Sequence, residues 1–561
     1  MRKALLDFYQ SSQLRSSGSL LALSRSVDWA MLSTTALCFV WVVLGLVGHE
    51  PWKPDEGYTF GLVQSIYQTS DWVVPMLAGD PFMEKPPLFF VVAAGFVHLF
   101  GGWLPDHDAA RLATGFFLAM SLICLALAER ELKNEDARLI SPLVFIGCIG
   151  LFETSHRLQT DMALLAGLAC ALYGFALSHR RTIVGALLLG TGAGVAFMSK
   201  GLIGPGLVGL TAMLLLFTGY WSKPAAVQVI AWSAIAAAPW VLVWPTLLYL
   251  RSPQLFIDWF WTNNIGRLTG HAHLGPPHTP WFYTLTLPWF AFPALPMAVR
   301  AFWMQSLSGH KLGEPRFALP AAFLSSCLLV LGLAGDARNI YALPILLPLS
   351  LYGSFASPID PTRRGAQLLK LLIRTFFASV AAMLWLGWFA LVTGWPPVMT
   401  AMLNRYRPGY VENLDWDTIA LAATLTLAWL VIEFAPSVTR SLLWRWSVGA
   451  TLVWGLCATL WISYLDFGKG YRDVLETMRP FVRTADCISS KGLGEPQRAL
   501  VKYYTGALTH RLDNGDTHTC GLMLIQSDPH APDIPTGEWI QVWQGHRPGD
   551  ADEVFKLYRR E

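Results

Sequence analysis

The sequence predicts a mainly α-helical, polytopic membrane protein that crosses a bilayer about thirteen times and ends in a small α/β unit. Three observations carry this reading. Hydrophobic residues make up 53% of the chain and charged residues only 14%, where soluble domains hold roughly a quarter. Apolar runs of about 16 to 25 residues recur along its length, each long enough to span the hydrocarbon core as a helix. The last hundred or so residues instead show strand-like alternation. A soluble protein is excluded. The net charge of +3 is small, and Lys and Arg sit in short loops between apolar runs, so no nucleic-acid footprint is present.

The predicted spans, taken in order, are 29–48, 111–128, 139–155, 160–178, 183–198, 203–219, 226–250, 284–303, 317–334, 340–357, 375–394, 417–435 and 447–465. Residues 1–28 carry Arg2, Lys3, Arg15 and Arg25, and no small-residue cleavage site follows the first apolar run, so that run reads as a retained anchor behind a cytoplasmic segment. Pro87–Leu104, which follows directly on Pro86, reads as interfacial or re-entrant, because counting it as a span breaks the charge pattern. That pattern is the accumulation of Lys and Arg in short cytoplasmic loops. It places Arg130, Lys133 and Arg138, then His179 to Arg181, Lys223, Arg363 with Arg364, and Arg440 with Arg445 inside. The N-terminus is then cytoplasmic and the C-terminus outside. The transmembrane region spans 29–465, with outer-face loops at 49–110 and 251–283.

Residues 466–561 form the predicted extracytoplasmic α/β domain. Arg498 to Tyr504, Gly521 to Gln526, Glu538 to Trp543 and Val554 to Tyr558 alternate like strands, and Asp473 to Asp486 has helical period. Six of the eight cysteines fall in apolar runs as packing residues. Cys487 and Cys520 share the tail, where an oxidising compartment allows a disulfide and two free buried thiols are the equal alternative.

Chemistry concentrates after the first span, in Pro54-Asp55-Glu56-Gly57-Tyr58, Asp71-Trp72-Val73-Val74-Pro75 and Glu84-Lys85-Pro86-Pro87. Asp55 ahead of Tyr58, Leu62 and Ile66 also reads as a helix N-cap, and Glu84 with Lys85 as a solvated ion pair. Ionisable groups at membrane depth cost roughly 2.5 to 3.5 kcal/mol each on insertion scales, so Asp161 and Lys200 mark a functional site. Snorkelling of Lys200 and a local Asp161–Arg157 pair are the structural alternatives.

These elements resemble the first outer loop of the aminoarabinose transferases, which belong with the protein O-mannosyltransferases in the GT-C superfamily of membrane glycosyltransferases. The resemblance continues through Ala109 to Leu112, His156 to Asp161, Ser199-Lys200-Gly201, Asn263 to Arg267 and Asn339 to Pro344. It implies an inverting transfer of 4-amino-4-deoxy-L-arabinose or a related sugar from an undecaprenyl-phosphate carrier to lipid A or a related envelope glycolipid, at the periplasmic face of a bacterial inner membrane. Asp55 and Asp161 are then the catalytic carboxylates. Lys85, Lys200, Arg267, Arg338 and Tyr341 bind the carrier phosphate, since a departing phosphate gains negative charge and needs cations beside it. Glu56, Tyr58 and Glu84 bind sugar or acceptor. Glu84, His271 and His273 are weak candidates for a divalent cation, because Asn263-Asn264 stands where the family carries a histidine and the loop histidines read first as loop residues. Trp259, Phe260, Trp261, Trp281 and Phe282 read as an aromatic belt or a lipid-tail groove. A protein or other glycan acceptor is the nearest rival. A transporter or flippase ranks lower, for want of an inverted repeat.

Overall fold

The computed structural model describes residues 29–133, 139–152, 154–266, 281–307, 313–333, 337–356, 359, 364–434, 441–483, 485, 487–512, 520–528, 535, 539–550 and 552–561. Among them, seven helices are long and apolar enough to cross a membrane, or up to nine if each of two bent helix pairs is one span. Four shorter apolar helices accompany these. The expected membrane bundle is there, but several predicted spans differ in shape. The segment at 139–155 is the seven-residue helix Ile140–Ile146, followed by Gly147 and the 3-10 turn Ile149–Leu151. The one at 284–303 is Phe282–Phe290 and Ala294–Leu307, bent by 92°. Pro288 and Pro293 fall at that bend, where missing amides break the helical ladder.

The helices that carry the site are labelled α1 (Asp55–Thr69), α2 (Leu88–Phe100), α3 (Asp106–Lys133), α4 (Asp161–Ser178), α5 (Thr182–Lys200) and α6 (Glu495–Thr505). The 13 residues of α2 reach about 20 Å at 1.5 Å each, short of a hydrocarbon core of about 30 Å, as the interfacial reading requires. α4 and α5 form an antiparallel hairpin of 18 and 19 residues joined by His179 to Arg181. Glycines let their backbones touch. A Cβ on Gly167 would stand 2.6 Å from the Ala196 nitrogen and one on Gly192 2.5 Å from the Ala171 nitrogen. Lipid drives no hydrophobic association between helices, so such close packing by small residues holds the pair. Because the hairpin arms match in length, its first residue, Asp161, meets its last, Lys200.

Between α1 and α2 the chain makes a small hairpin, β1 (Met76–Leu77) and β2 (Asp80–Pro81), turning through Ala78 and Gly79, both at positive φ. The C-terminal region contains a five-stranded mixed sheet of β3 (Cys487–Lys491), β4 (Leu508–Arg511), β5 (Leu522–Ser527), β6 (Trp539–Gly545) and β7 (Val554–Arg560), in the order β4-β3-β5-β7-β6. β3 runs parallel to β4 and β5, whereas β7 is antiparallel to β5 and β6. Cys487 and Cys520 are disulfide-bonded with Cα atoms 5.6 Å apart. Arg498 to Tyr504, expected as a strand, is helical: Pro496 at the start of α6 and Gly506 in the left-handed conformation at its end are helix boundary signals that outweigh a short apolar alternation.

Candidate active site

Five separate stretches of chain deliver polar side chains to one end of the bundle. α1 starts at Asp55, and the N-cap position belongs to Pro54 with no side-chain cap, so the Asp55 carboxylate is not spent on capping. It lies 3.9 Å from Arg338 Nη1. One turn along α1, Tyr58 accepts a hydrogen bond from Lys85 Nζ, which also lies 4.9 Å from the Tyr58 ring centroid. Asp161 accepts a hydrogen bond from Lys200 Nζ, and that ammonium lies 4.4 Å from the centroid of Tyr341. Tyr341 and Arg338 belong to one turn, Arg338 at the N-cap of the 3-10 helix Asn339–Ala342. The contacts therefore form two arcs of one ring, Asp55, Arg338, Tyr341, Lys200 and Asp161 in the first and Lys85 with Tyr58 in the second.

Two electrostatic couplings complete the ring. Burial opposes charge on Lys85, yet Tyr58, Glu84 and Asp161 around it hold its ammonium above the ordinary lysine range. Burial pushes the Tyr58 phenol up as well, with Asp55 and Glu84 acting in the same direction, so Tyr58 stays protonated and its oxygen remains an acceptor for Lys85. The result is a site of alternating sign in which each cation already has an acidic or aromatic neighbour.

Glu56, expected to touch sugar or acceptor, does not face this ring. It is 1% exposed. Its carboxylate accepts hydrogen bonds from Arg111 Nε at 3.1 Å, the Leu158 amide at 2.7 Å and the Trp52 amide at 3.0 Å. Arg111 in turn donates to Asp108 Oδ1 at 2.6 Å and to the carbonyls of Leu46, His49 and Glu50. Glu56 is adjacent to Asp55, and Leu158 lies three residues before Asp161. The buried knot thus braces the spacing of the two candidate carboxylates.

Sequence reasoning missed two further residues. Asn264 accepts from the Leu202 amide at 3.1 Å, and a Cβ on Gly201 would fall 2.0 Å from its Oδ1. Gly201 also sits at φ 68, so the turn directly after Lys200 has room only for glycine and is braced by Asn264. Glu495, first in α6, has its carboxyl raised by burial and by the charge of Glu84, which places the C-terminal region at the rim of the site. Only the Gly-Glu-Pro helix start was readable there. Of the aromatic belt, Trp259 packs at 1% exposure beside Phe197 and Trp244, whereas Trp261 and Trp281 stand exposed at 58% and 70%. Arg267, His271 and His273 lie outside the described residues. Among the described residues no three His, Cys, Asp or Glu side chains converge as a metal site.

The chain is thus a multi-span bundle with an acidic and basic ring at the end that meets a small α/β region. Residues 84–247 match the family model described as dolichyl-phosphate-mannose-protein mannosyltransferase. Similar proteins include the undecaprenyl phosphate-alpha-4-amino-4-deoxy-L-arabinose arabinosyl transferase of Pectobacterium carotovorum, 25% identical over 489 residues, which cover 81% of this chain and 79% of that one. The corresponding transferase 1 of Sodalis glossinidius is 28% identical over 449 residues, covering 75% and 73%. Among solved structures, ArnT of Cupriavidus metallidurans bound to undecaprenyl phosphate superimposes with a TM-score of 0.70 at 15% identity, covering 95% of this chain and 98% of that one. The resemblance read from the outer-loop motifs and the expected fold both hold.

Proposed function

We propose that this protein is a polyprenyl-phosphate-dependent glycosyltransferase that moves 4-amino-4-deoxy-L-arabinose, or a closely related sugar, from undecaprenyl phosphate to lipid A or a related envelope glycolipid. The site opens to the outer face of a bacterial inner membrane, with the N-terminus cytoplasmic and the C-terminus outside. The single observation that carries this reading is the ring of Asp55, Arg338, Tyr341, Lys200, Asp161, Lys85 and Tyr58, on a chain similar to arabinosyl transferases over most of its length. Support for the orientation comes from Lys133, last in α3, and Arg180, in the turn after α4, both on the side remote from the ring, as a positive-inside arrangement requires.

In this reading the bond from the sugar's anomeric carbon to the carrier phosphate oxygen breaks and its electron pair stays on the phosphate. An acceptor oxygen bonds to the same carbon from the opposite face, which inverts it. Lys85 and Lys200 stand where the leaving phosphate gains charge, and cations fixed in a partly dry site stabilise such charge more than they do in water. Arg338 and Arg267 add to that role. Asp161, between the two lysines, keeps both oriented in the absence of donor. Asp55, spare of any capping duty, takes the acceptor proton when the acceptor is a hydroxyl or engages the amino group of the sugar. A phosphate acceptor needs no base, and the part of Asp55 is then electrostatic.

Mass analysis of envelope lipids from cells with the gene, without it, and with Asp55→Asn tests the proposal. Expected is a pentosamine-sized mass on lipid A that disappears in the deletion and in Asp55→Asn, while the variant protein remains inserted and at parental level. Unchanged lipids together with altered glycoproteins would transfer the assignment to a protein acceptor.

A further inference from the structure

We infer that the C-terminal helix α6 is a positioning element for the transfer reaction, acting through Gly57 and Gly61 of α1 and through Arg498. The inference rests on reading the Asp55–Lys85 ring as the active site, and adds that the site keeps its shape because an element more than four hundred residues downstream in the chain holds it.

α6 lies directly on the face of α1 that carries Gly57 and Gly61. A Cβ on Gly61 would stand 2.5 Å from Ala499 Cβ, and one on Gly57 3.0 Å from Pro496 Cβ. Real side chains do not approach so closely, so the separation of these two helices is set by hydrogen atoms at positions 57 and 61. Tyr58, which accepts from Lys85, sits between these glycines, and Asp55 lies at the near end of the same helix. Any outward shift of α1 from α6 would carry both side chains with it.

The same helix grips the other half of the outer loop. Arg498 is 1% exposed. It donates to Asp80 Oδ2 at 2.5 Å and to the Ala78 carbonyl at 3.2 Å, on the β1–β2 hairpin, and anchors itself on Thr509. That hairpin ends three residues before Glu84-Lys85. α6 therefore fixes Tyr58 on one side and Lys85 on the other, and these are the two partners of one hydrogen bond in the ring. A misplacement of about 1 Å in such a pair can lower turnover by roughly a hundredfold without touching the reacting groups.

The contact geometry provides its own test. Gly61→Ala introduces the 2.5 Å clash with Ala499 Cβ. Ala499→Gly removes that atom and leaves Leu77 Cδ1 at 3.0 Å and Ala499 Cα at 3.5 Å as the next neighbours. Hydrogen exchange and transfer kinetics are to be measured on the purified full chain for the parent, Gly61→Ala, Ala499→Gly and the double variant. Expected in Gly61→Ala is faster amide exchange over 55–69 and 84–88, unchanged exchange over 161–178, and turnover lowered about 10- to 100-fold with donor KM nearly unchanged. The double variant should recover both exchange and turnover. Arg498→Lys keeps the charge but loses the forked hold, and should loosen 76–88 while sparing 55–69. Parental exchange in Gly61→Ala, or no recovery in the double variant, overturns the inference. The exchange measurements do not depend on which sugar or acceptor is used, so they decide this inference separately from the functional reading.

Discussion

Asp55 and Glu56 are consecutive acidic residues on one helix, each beside an arginine, yet they belong to two different kinds of site. Asp55 is 23% exposed and its partner Arg338 36%, separated by 3.9 Å. Glu56 and Arg111 are 1% and 0% exposed, and every oxygen and most of the guanidinium hydrogens are bonded. A buried ion pair is tolerable only when its hydrogen bonds are complete, and completeness leaves nothing to offer a substrate. A loosely paired, half-wet carboxylate keeps lone pairs and room. Degree of satisfaction, rather than residue type, separates the brace from the proposed reagent.

The sharpest way to break this contrast is Arg111→Ala. Removing one partner of a buried pair strands the other charge and costs about 3 to 5 kcal/mol. Thermal unfolding of the detergent-solubilised chain should move down sharply, and most of the protein should fail to accumulate. The same knot predicts acid sensitivity. Burial alone would raise the Glu56 carboxyl, but Arg111, His49 and the Leu158 and Trp52 amides bring it below the ordinary carboxylate range. A depressed carboxyl contributes stability that is present above the unfolded pKa and lost as pH falls through the folded one. Stability should therefore decline on acidification below about pH 4.5, and Glu56→Gln, already less stable, should show a shallower decline.

Within the ring the expectation is reversed, with activity lost and folding retained. Lys85→Met should lower turnover by about 10² to 10³, the range seen when one group stabilising developing charge is removed. Lys200→Arg should cost less, roughly tenfold, because a planar guanidinium replaces a compact ammonium between Asp161 and Tyr341. Both proteins should unfold within about 1 kcal/mol of the parent. If Lys85→Met lowered only protein level while surviving molecules turned over normally, the lysine would be an anchor like Arg111. The smallest effect is expected at the rim, where Lys53 meets Asp550 at 2.6 Å with the lysine 41% exposed. Lys53→Ala should change stability by about 0.2 to 1 kcal/mol and leave transfer untouched.

How much of this was legible follows from the solvent. In a chain destined for lipid, each ionisable residue stands out, so Asp161 and Lys200 could be named from the sequence, while Asp55, Lys85 and Tyr341 came from the resemblance of the motifs around them; the structure brings all five together. Hydropathy likewise gave the bundle, whereas the two tail cysteines left a disulfide and two free thiols equally open until the structure joined them. Sequence could not distinguish Asp55 from its neighbour, because both are acidic, both precede Tyr58, and the difference is a hydrogen-bond count set by Arg111 and Leu158. Nor could it read α6: Arg-Ala-Leu-Val-Lys-Tyr-Tyr fits either period over so short a stretch, and the packing of Ala499 against Gly61 favours the helix. Local pattern determined which residues avoid lipid and where chain direction reverses, since those depend on composition within one turn or one span. Tertiary structure alone decided which charges are sealed and which stay available, because that depends on donors arriving from parts of the chain hundreds of residues apart.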